Sequence, residues 1–244
     1  MAQTWAWVSS LNNVTASGTG TTLAKAYSPN NTAGNFLSAW GTWGTGTSGA
    51  TFADTANGTW SATVKTTNDA GNGQSISSCF FANCAAGANT VTMTTPSSDH
   101  RGLIIREASG IVTVSPEDGT AAGSTQTAGT SHTTNTVTVS QADDMVVGFI
   151  IEDSAGSATI TSSSTIHSGD GPAIVNNVDI ACADKNGPAS GTTSVAFTFS
   201  TSQTAILQCR CFKQAAAAGR TTKNTRAFPL GMEIGMNWQG TGSS

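Results

Sequence analysis

Apolar and polar positions alternate in short runs separated by clusters of Gly, Asn, Asp and Ser, the pattern of a sandwich or barrel of strands. No stripe of helical period exceeds two turns. The runs predict strands at 5–8, 21–27, 36–43, 50–53, 59–65, 75–82, 90–95, 102–108, 111–114, 134–140, 144–152, 158–161, 173–183, 193–200 and 204–213. Met145 to Ile151 is apolar on both faces until Glu152-Asp153 ends it, and Leu103-Ile104-Ile105 before Arg106-Glu107 has the same character, so both should be central strands covered on two sides. Val195, Phe197 and Phe199 alternate with small residues, giving one buried face. The last strand sets Ala205, Leu207, Cys209 and Cys211 against Ile206, Gln208, Arg210 and Phe212, with cysteine acting as a small hydrophobe.

Turn chemistry agrees with this reading. Asn57-Gly58 offers the positive-φ residues of a tight hairpin, and the segment from Asn83 to Asn89 reads as a second reversal, with Cys79 before it and Cys84 near its start. Two stretches fall outside the pattern. Ser115 to Thr133, with Gly119, Gly123 and Gly129 among Ser, Thr and Ala, reads as a long surface loop. After Lys213 the chain turns basic at Arg220, Lys223 and Arg226, then apolar and Gly-interrupted from Phe228 to Trp238. Such a segment cannot cover itself. It reads as an arm that docks on its own sandwich or on a neighbour, which divides the chain into a body at 1–213 and an arm at 214–244, anchored by Phe228, Leu230, Ile234 and Trp238.

Composition sharpens the picture. Of 244 residues only 10% are charged, against 37% hydrophobic with 27 glycines; Ser, Thr, Ala and Asn take the place of charge, which suits pleated strands and small turns. A net charge of -4 and a sparse basic run from Arg210 to Arg226 argue against nucleic-acid recognition. No export signal or membrane span is expected, because the uncharged start is soon interrupted by Ser9 and Ser10 and the longest apolar run is far below the roughly 20 residues a membrane helix needs. Five cysteines without C-x-x-C spacing fit reduced, buried thiols; a Cys79–Cys84 bridge is the one pairing the spacing leaves open.

Candidate chemistry is thin. His100, His132 and His167 fall in loops or strand ends, and no G-x-S-x-G elbow is present. The pairs Glu117-Asp118, Asp143-Asp144 and Glu152-Asp153 read as solvated strand termini, since adjacent residues on a strand face opposite ways. A weak calcium site stays open; zinc finds only Cys209-x-Cys211 without a second ligand pair, and no phosphate-binding loop occurs, so no cofactor is expected. Trp40, Trp43 and Trp60 admit a glycan-stacking reading, beside which stands the plainer one that indoles supply bulk to a core of small residues.

Several segments carry a resemblance. Ala33-Gly34-Asn35-Phe36-Leu37, the run from Phe52 to Trp60, Gly87-Ala88-Asn89-Thr90-Val91-Thr92, the run from Asp99 to Gly110, and Asp144-Met145-Val146-Val147-Gly148-Phe149 resemble a loosely defined group of β-sandwich domains in phage structural and bacterial surface proteins. The resemblance covers about residues 20 to 213 and implies a fold, with no catalytic residue attached. The expectation is a single jelly-roll-like antiparallel β-sandwich with an extended C-terminal arm. It would act, with no enzymatic role, as a structural virion protein decorating a capsid, assembled in a host cytoplasm and partnered by copies of itself or by the major capsid protein. Alternatives are a carbohydrate-binding or adhesive module and a self-assembling extracellular filament subunit.

Overall fold

A computed structural model describes residues 3–8, 14–17, 20–44, 48–60, 64–98, 100–152, 159–167, 171, 173–175, 178–185 and 187–216. Among them eighteen strands form: β1 (Ala6–Trp7), β2 (Val14–Ser17), β3 (Thr22–Ala26), β4 (Phe36–Gly44), β5 (Thr51–Asp54), β6 (Gly58–Thr59), β7 (Lys65–Asp69), β8 (Gln74–Phe81), β9 (Thr90–Thr94), β10 (Arg101–Ser109), β11 (Ala122–Thr133), β12 (Val137–Val139), β13 (Met145–Glu152), β14 (Ile160–Ser162), β15 (Ala173–Val175), β16 (Val178–Lys185), β17 (Gly191–Thr193) and β18 (Ala196–Phe212). Every pairing is antiparallel. No helix is long and apolar enough to cross a membrane.

The chain forms the expected all-β antiparallel sandwich architecture, but in four sheets rather than two. One large sheet has the order β1-β10-β4-β8-β7, with β2 also on β10; the other has β11-β18-β13-β16-β15, with β14 also on β18. These two face each other. Phe36, Trp40, Ile76, Phe80 and Ile104 from the first interdigitate with Met145, Val147, Phe149, Ile180 and Phe212 from the second. On its far side the first sheet carries β3-β9-β5-β6, meeting it through Leu23, Phe52, Val91 and Met93 against Leu37, Trp43, Leu103 and Ile105. The far side of the second sheet carries the β12-β17 ribbon, where Val137 and Val139 pack with Val146, Ile150, Leu207, Cys209 and Cys211. The stacking explains why β4, β10 and β13 are apolar on both faces: each is a central strand with a sheet above and below.

The two halves repeat one strand order. In residues 3–109 the first strands (β1, β2) lie beside the last (β10), followed by β4, β8 and β7; in residues 122–212 the first (β11) lies beside the last (β18), followed by β13, β16 and β15. The outer sheets repeat it too, since β3 pairs with β9 as β12 pairs with β17.

Local departures from the sequence reading have physical reasons. The stretch read as a surface loop contains β11, twelve residues paired with β18; its small polar side chains fit an edge strand lying close over β7, where a Cβ on Gly123 would run into Thr67. The runs at 193–200 and 204–213 join into β18, because the polar segment 200–203 stays in the ladder across irregular register rather than turning. In the 111–114 run only Ile111 makes an isolated bridge. The 57–58 hairpin forms with Gly58 at φ 78° and Asn57 outside the left-handed region; Asp54 supports it by accepting from the Ala56 and Asn57 N–H groups. The reversal at 83–89 is no hairpin, since it carries the chain from β8 in one sheet to β9 in another.

Candidate functional site

Phe228, Leu230, Ile234 and Trp238 lie outside the described residues. The described chain ends at Ala216, and the residues just before it are held by several segments. Gln214 N donates to Asp144 Oδ1 at 2.9 Å, and the Gln214 side chain donates to Ala142 O while its Oε1 accepts from Thr4 N and Thr4 Oγ1. Gln141 Nε2 bridges Asp144 Oδ1 and Gln214 O, and Ala215 N reaches Gly110 O at 2.7 Å. Four chain segments therefore converge here: the start of β1, the crossover after β10, the loop before β13 and the exit from β18. Trp5 closes the junction by donating from Nε1 to Asp143 O at 2.8 Å.

Trp40, Trp43 and Trp60 expose no face to a sugar. Trp40 lies between the large sheets, 5.9 Å from Phe149; Trp43 and Trp60 pack under the β3-β9-β5-β6 sheet, with Trp60 Nε1 bonded to Asp54. Their bulk is core, because so few other large side chains are available. Among the described residues Val114 is the one large hydrophobic that is fully exposed. All five cysteines are buried free thiols, so the Cys79–Cys84 bridge does not form. Burial raises the Cys79 and Cys84 thiols to about 11 and Cys209 to about 12.

One acid of each pair contradicts the expectation of solvated strand ends, while Asp143 is partly exposed and Asp153 lies outside the described residues. Asp118, Asp144 and Glu152 are buried. Asp118 accepts from Ser140 N, and Glu152 stands opposite Asp179 in the ladder between β13 and β16. Glu117, partly exposed, holds Arg210 Nε at 2.8 Å. The histidines are dispersed: His100 bonds Gln74, His132 is buried between Gln126 and Gly129 O, and His167 Nε2 stands 2.8 Å from Asp184 Oδ1.

Between the large sheets lie polar ties that the sequence reading did not single out. Arg106 pairs with Asp184 at 2.8 Å, its guanidinium carbon 3.6 Å from the centre of the Trp7 ring. Arg210, besides holding Glu117, donates to Ser78 O, and Gln208 Nε2 donates to Lys65 O and Thr67 Oγ1. Each links one sandwich to the other. The available signal was a charged or amide side chain on an apolar face of a strand, such as Arg106 following Leu103-Ile104-Ile105; inside a low-dielectric interface such a group requires a partner.

No protein-family model, no curated protein and no solved structure matches the chain.

Proposed function

We propose that the protein is a structural component of a virion, a capsid-decorating or accessory surface protein whose stacked sandwiches form a rigid body and whose C-terminal arm makes the assembly contact. The observation that carries this reading is the arm root. Gln214 and Ala215 are fixed to three other segments by hydrogen bonds, and a firm root lets a following segment transmit binding energy to the body instead of dissipating it in a slack tether. Beyond the root the sequence supplies Phe228, Leu230, Ile234 and Trp238, while the described body buries almost all of its own large apolar side chains. We read those arm residues as seated on a copy of this chain or on a shell protein.

We read each half as jelly-roll-like. Support comes from the strand order, in which the first and last strands are neighbours in the large sheet of each half and the chain crosses to a smaller outer sheet and back. The burial of Trp40, Trp43 and Trp60 weighs against the carbohydrate-binding alternative that relied on them.

Light scattering on the full chain and on a chain lacking residues 220–244 tests the assignment. Loss of assembly, or of attachment to shells, on deletion is the expected result; an unchanged assembly state overturns the role of the arm. Genes for portal, protease and shell proteins beside this one would support the virion setting.

A further inference from the structure

At the junction that fixes the arm root, three potential ligands meet in the interior. The carboxylate oxygens of Asp118 and Asp144 and the sulfur of Cys211 all lie within 4.8 Å of one another, and all three residues are buried. Asp118 precedes β11, Asp144 precedes β13 and Cys211 is near the end of β18, so the fold brings them together from three separate places. The sulfur is 4.0 Å from Asp118 Oδ2.

Charge balance sets this cluster apart from the acids at the sandwich interface. Glu117 has Arg210 and Asp184 has Arg106. Around Asp118 and Asp144 the donors are neutral: Ser140 N, the Gln141 amide, Gln214 N and the Cys211 thiol. Asp144 Oδ2, in a residue with no exposed surface, accepts from no donor among the described residues, and the Asp144 carboxyl faces that of Asp118. A fully buried, unpartnered carboxylate oxygen beside a second carboxylate is costly unless something positive sits between them.

We propose that Asp118, Asp144 and Cys211 form a binding site for one divalent cation of the zinc class. Sulfur as a ligand selects a borderline ion over calcium or magnesium, which prefer oxygen alone. Zinc bonds of about 2.0 Å to oxygen and about 2.3 Å to sulfur imply ligand separations of roughly 3.3 to 3.6 Å in a tetrahedron, so the side chains need to close by at most about 1.5 Å. Water or the second oxygen of one carboxylate takes the fourth position. On binding, the cation displaces the thiol proton of Cys211 to solvent, leaving a thiolate; the two carboxylates and the thiolate together carry three negative charges against two positive ones. Because the thiol must give up its proton to ligate, binding strengthens as pH rises. The occupied site would pin the starts of β11 and β13 to the end of β18 and, through Asp144, to Gln214. It stands independently of the virion assignment.

The test uses the full chain, freed of metal by a chelator and titrated with zinc by calorimetry and with cobalt(II) by absorption. One equivalent should bind, cobalt should give a thiolate-to-metal charge-transfer band with the intense visible bands of a tetrahedral ion, and zinc should raise the thermal midpoint in proportion to the logarithm of its concentration. Cys211→Ser should abolish the charge-transfer band and weaken zinc by at least about tenfold, and Asp144→Asn should weaken it similarly. Absence of stoichiometric binding with an unmoved midpoint in the wild-type chain overturns the proposal, leaving two carboxyls that share a proton. Binding that survives both substitutions also overturns it, by placing the ion elsewhere.

Discussion

Arg106 on β10 and Asp184 on β16 meet at 2.8 Å across the interface of the two sandwiches, both side chains out of contact with solvent. Arg106 lies over Trp7, which packs against an aromatic core that includes Phe36, Trp40, Phe80, Phe149 and Phe212, and the pair ties one half to the other. Apolar faces alone tolerate sliding; a buried pair does not.

Breaking this pair from one side should cost more than removing it whole. Arg106→Met leaves the buried Asp184 with His167 beside it but without its guanidinium, and a loss of up to about 3 to 5 kcal/mol is expected in urea unfolding. Adding Asp184→Asn should recover a substantial part. Equal stabilities for the single and double variants would show that the pair contributes little to the alignment.

Asp179 makes stability depend on pH. Burial raises its carboxyl above the ordinary value, only partly offset by the hydrogen bond with Glu152. The folded state therefore holds this proton more tightly than the unfolded chain, whose value is near 3.8. The sign follows: the contribution is present below the unfolded value and is lost as pH rises through the folded one. Asp179→Asn should stabilise the protein at about pH 7, with a gain over wild type that shrinks toward about pH 4, as measured by denaturant midpoints across the range. A gain independent of pH would refute the assignment.

Gly148 and Gly41 offer a contrast. A Cβ at Gly148 would stand 2.6 Å from Val195 Cβ, part of a stiff branched side chain, whereas a Cβ at Gly41 would strike Met93 Sδ, the flexible end of a long one. Gly148→Ala should destabilise by about 1 to 3 kcal/mol and Gly41→Ala by less, compared by thermal unfolding. The reverse order would mean that the methionine is the more tightly held.

All five thiols should resist modification. All five are buried, and Cys79, Cys84 and Cys209, raised to about 11, 11 and 12, are protonated at neutral pH. A thiol reagent should label none rapidly in the native protein and all five after denaturation. A missing pair of thiols after denaturation without reductant would reveal a disulfide.

Much of the architecture was legible because burial writes itself into alternation. Met145 to Ile151 and Leu103 to Ile105 announce two-sided cover, and both belong to central strands. What escaped were elements whose contacts require little apolar surface. β11 is mostly Ala, Gly, Ser and Thr because it lies close over β7, and small residues that permit such an approach look like a loop in one dimension. The number of layers escaped for a related reason: a strand covered on both faces has the same sequence whether its sheet is the middle of three layers or of four. The acids Asp118, Asp144 and Glu152 were misplaced because adjacent carboxyls suggest solvent, while their distant partners, among them Ser140 and Asp179, cannot be inferred from spacing. The arm anchors, by contrast, are known only as a sequence pattern.

The long strand β18 imposes an order of events during synthesis. It pairs with β11, β13 and β14, so the second large sheet cannot close until residues 196–212 have left the ribosome. The first half needs nothing beyond residue 109 to complete its own sheets. For the interval in which about a hundred further residues are translated, on the order of ten seconds, the nascent chain must present Phe36, Trp40, Phe80 and Ile104 on an uncovered face, a stretch in which chaperone binding or premature pairing of two unfinished chains competes with closure.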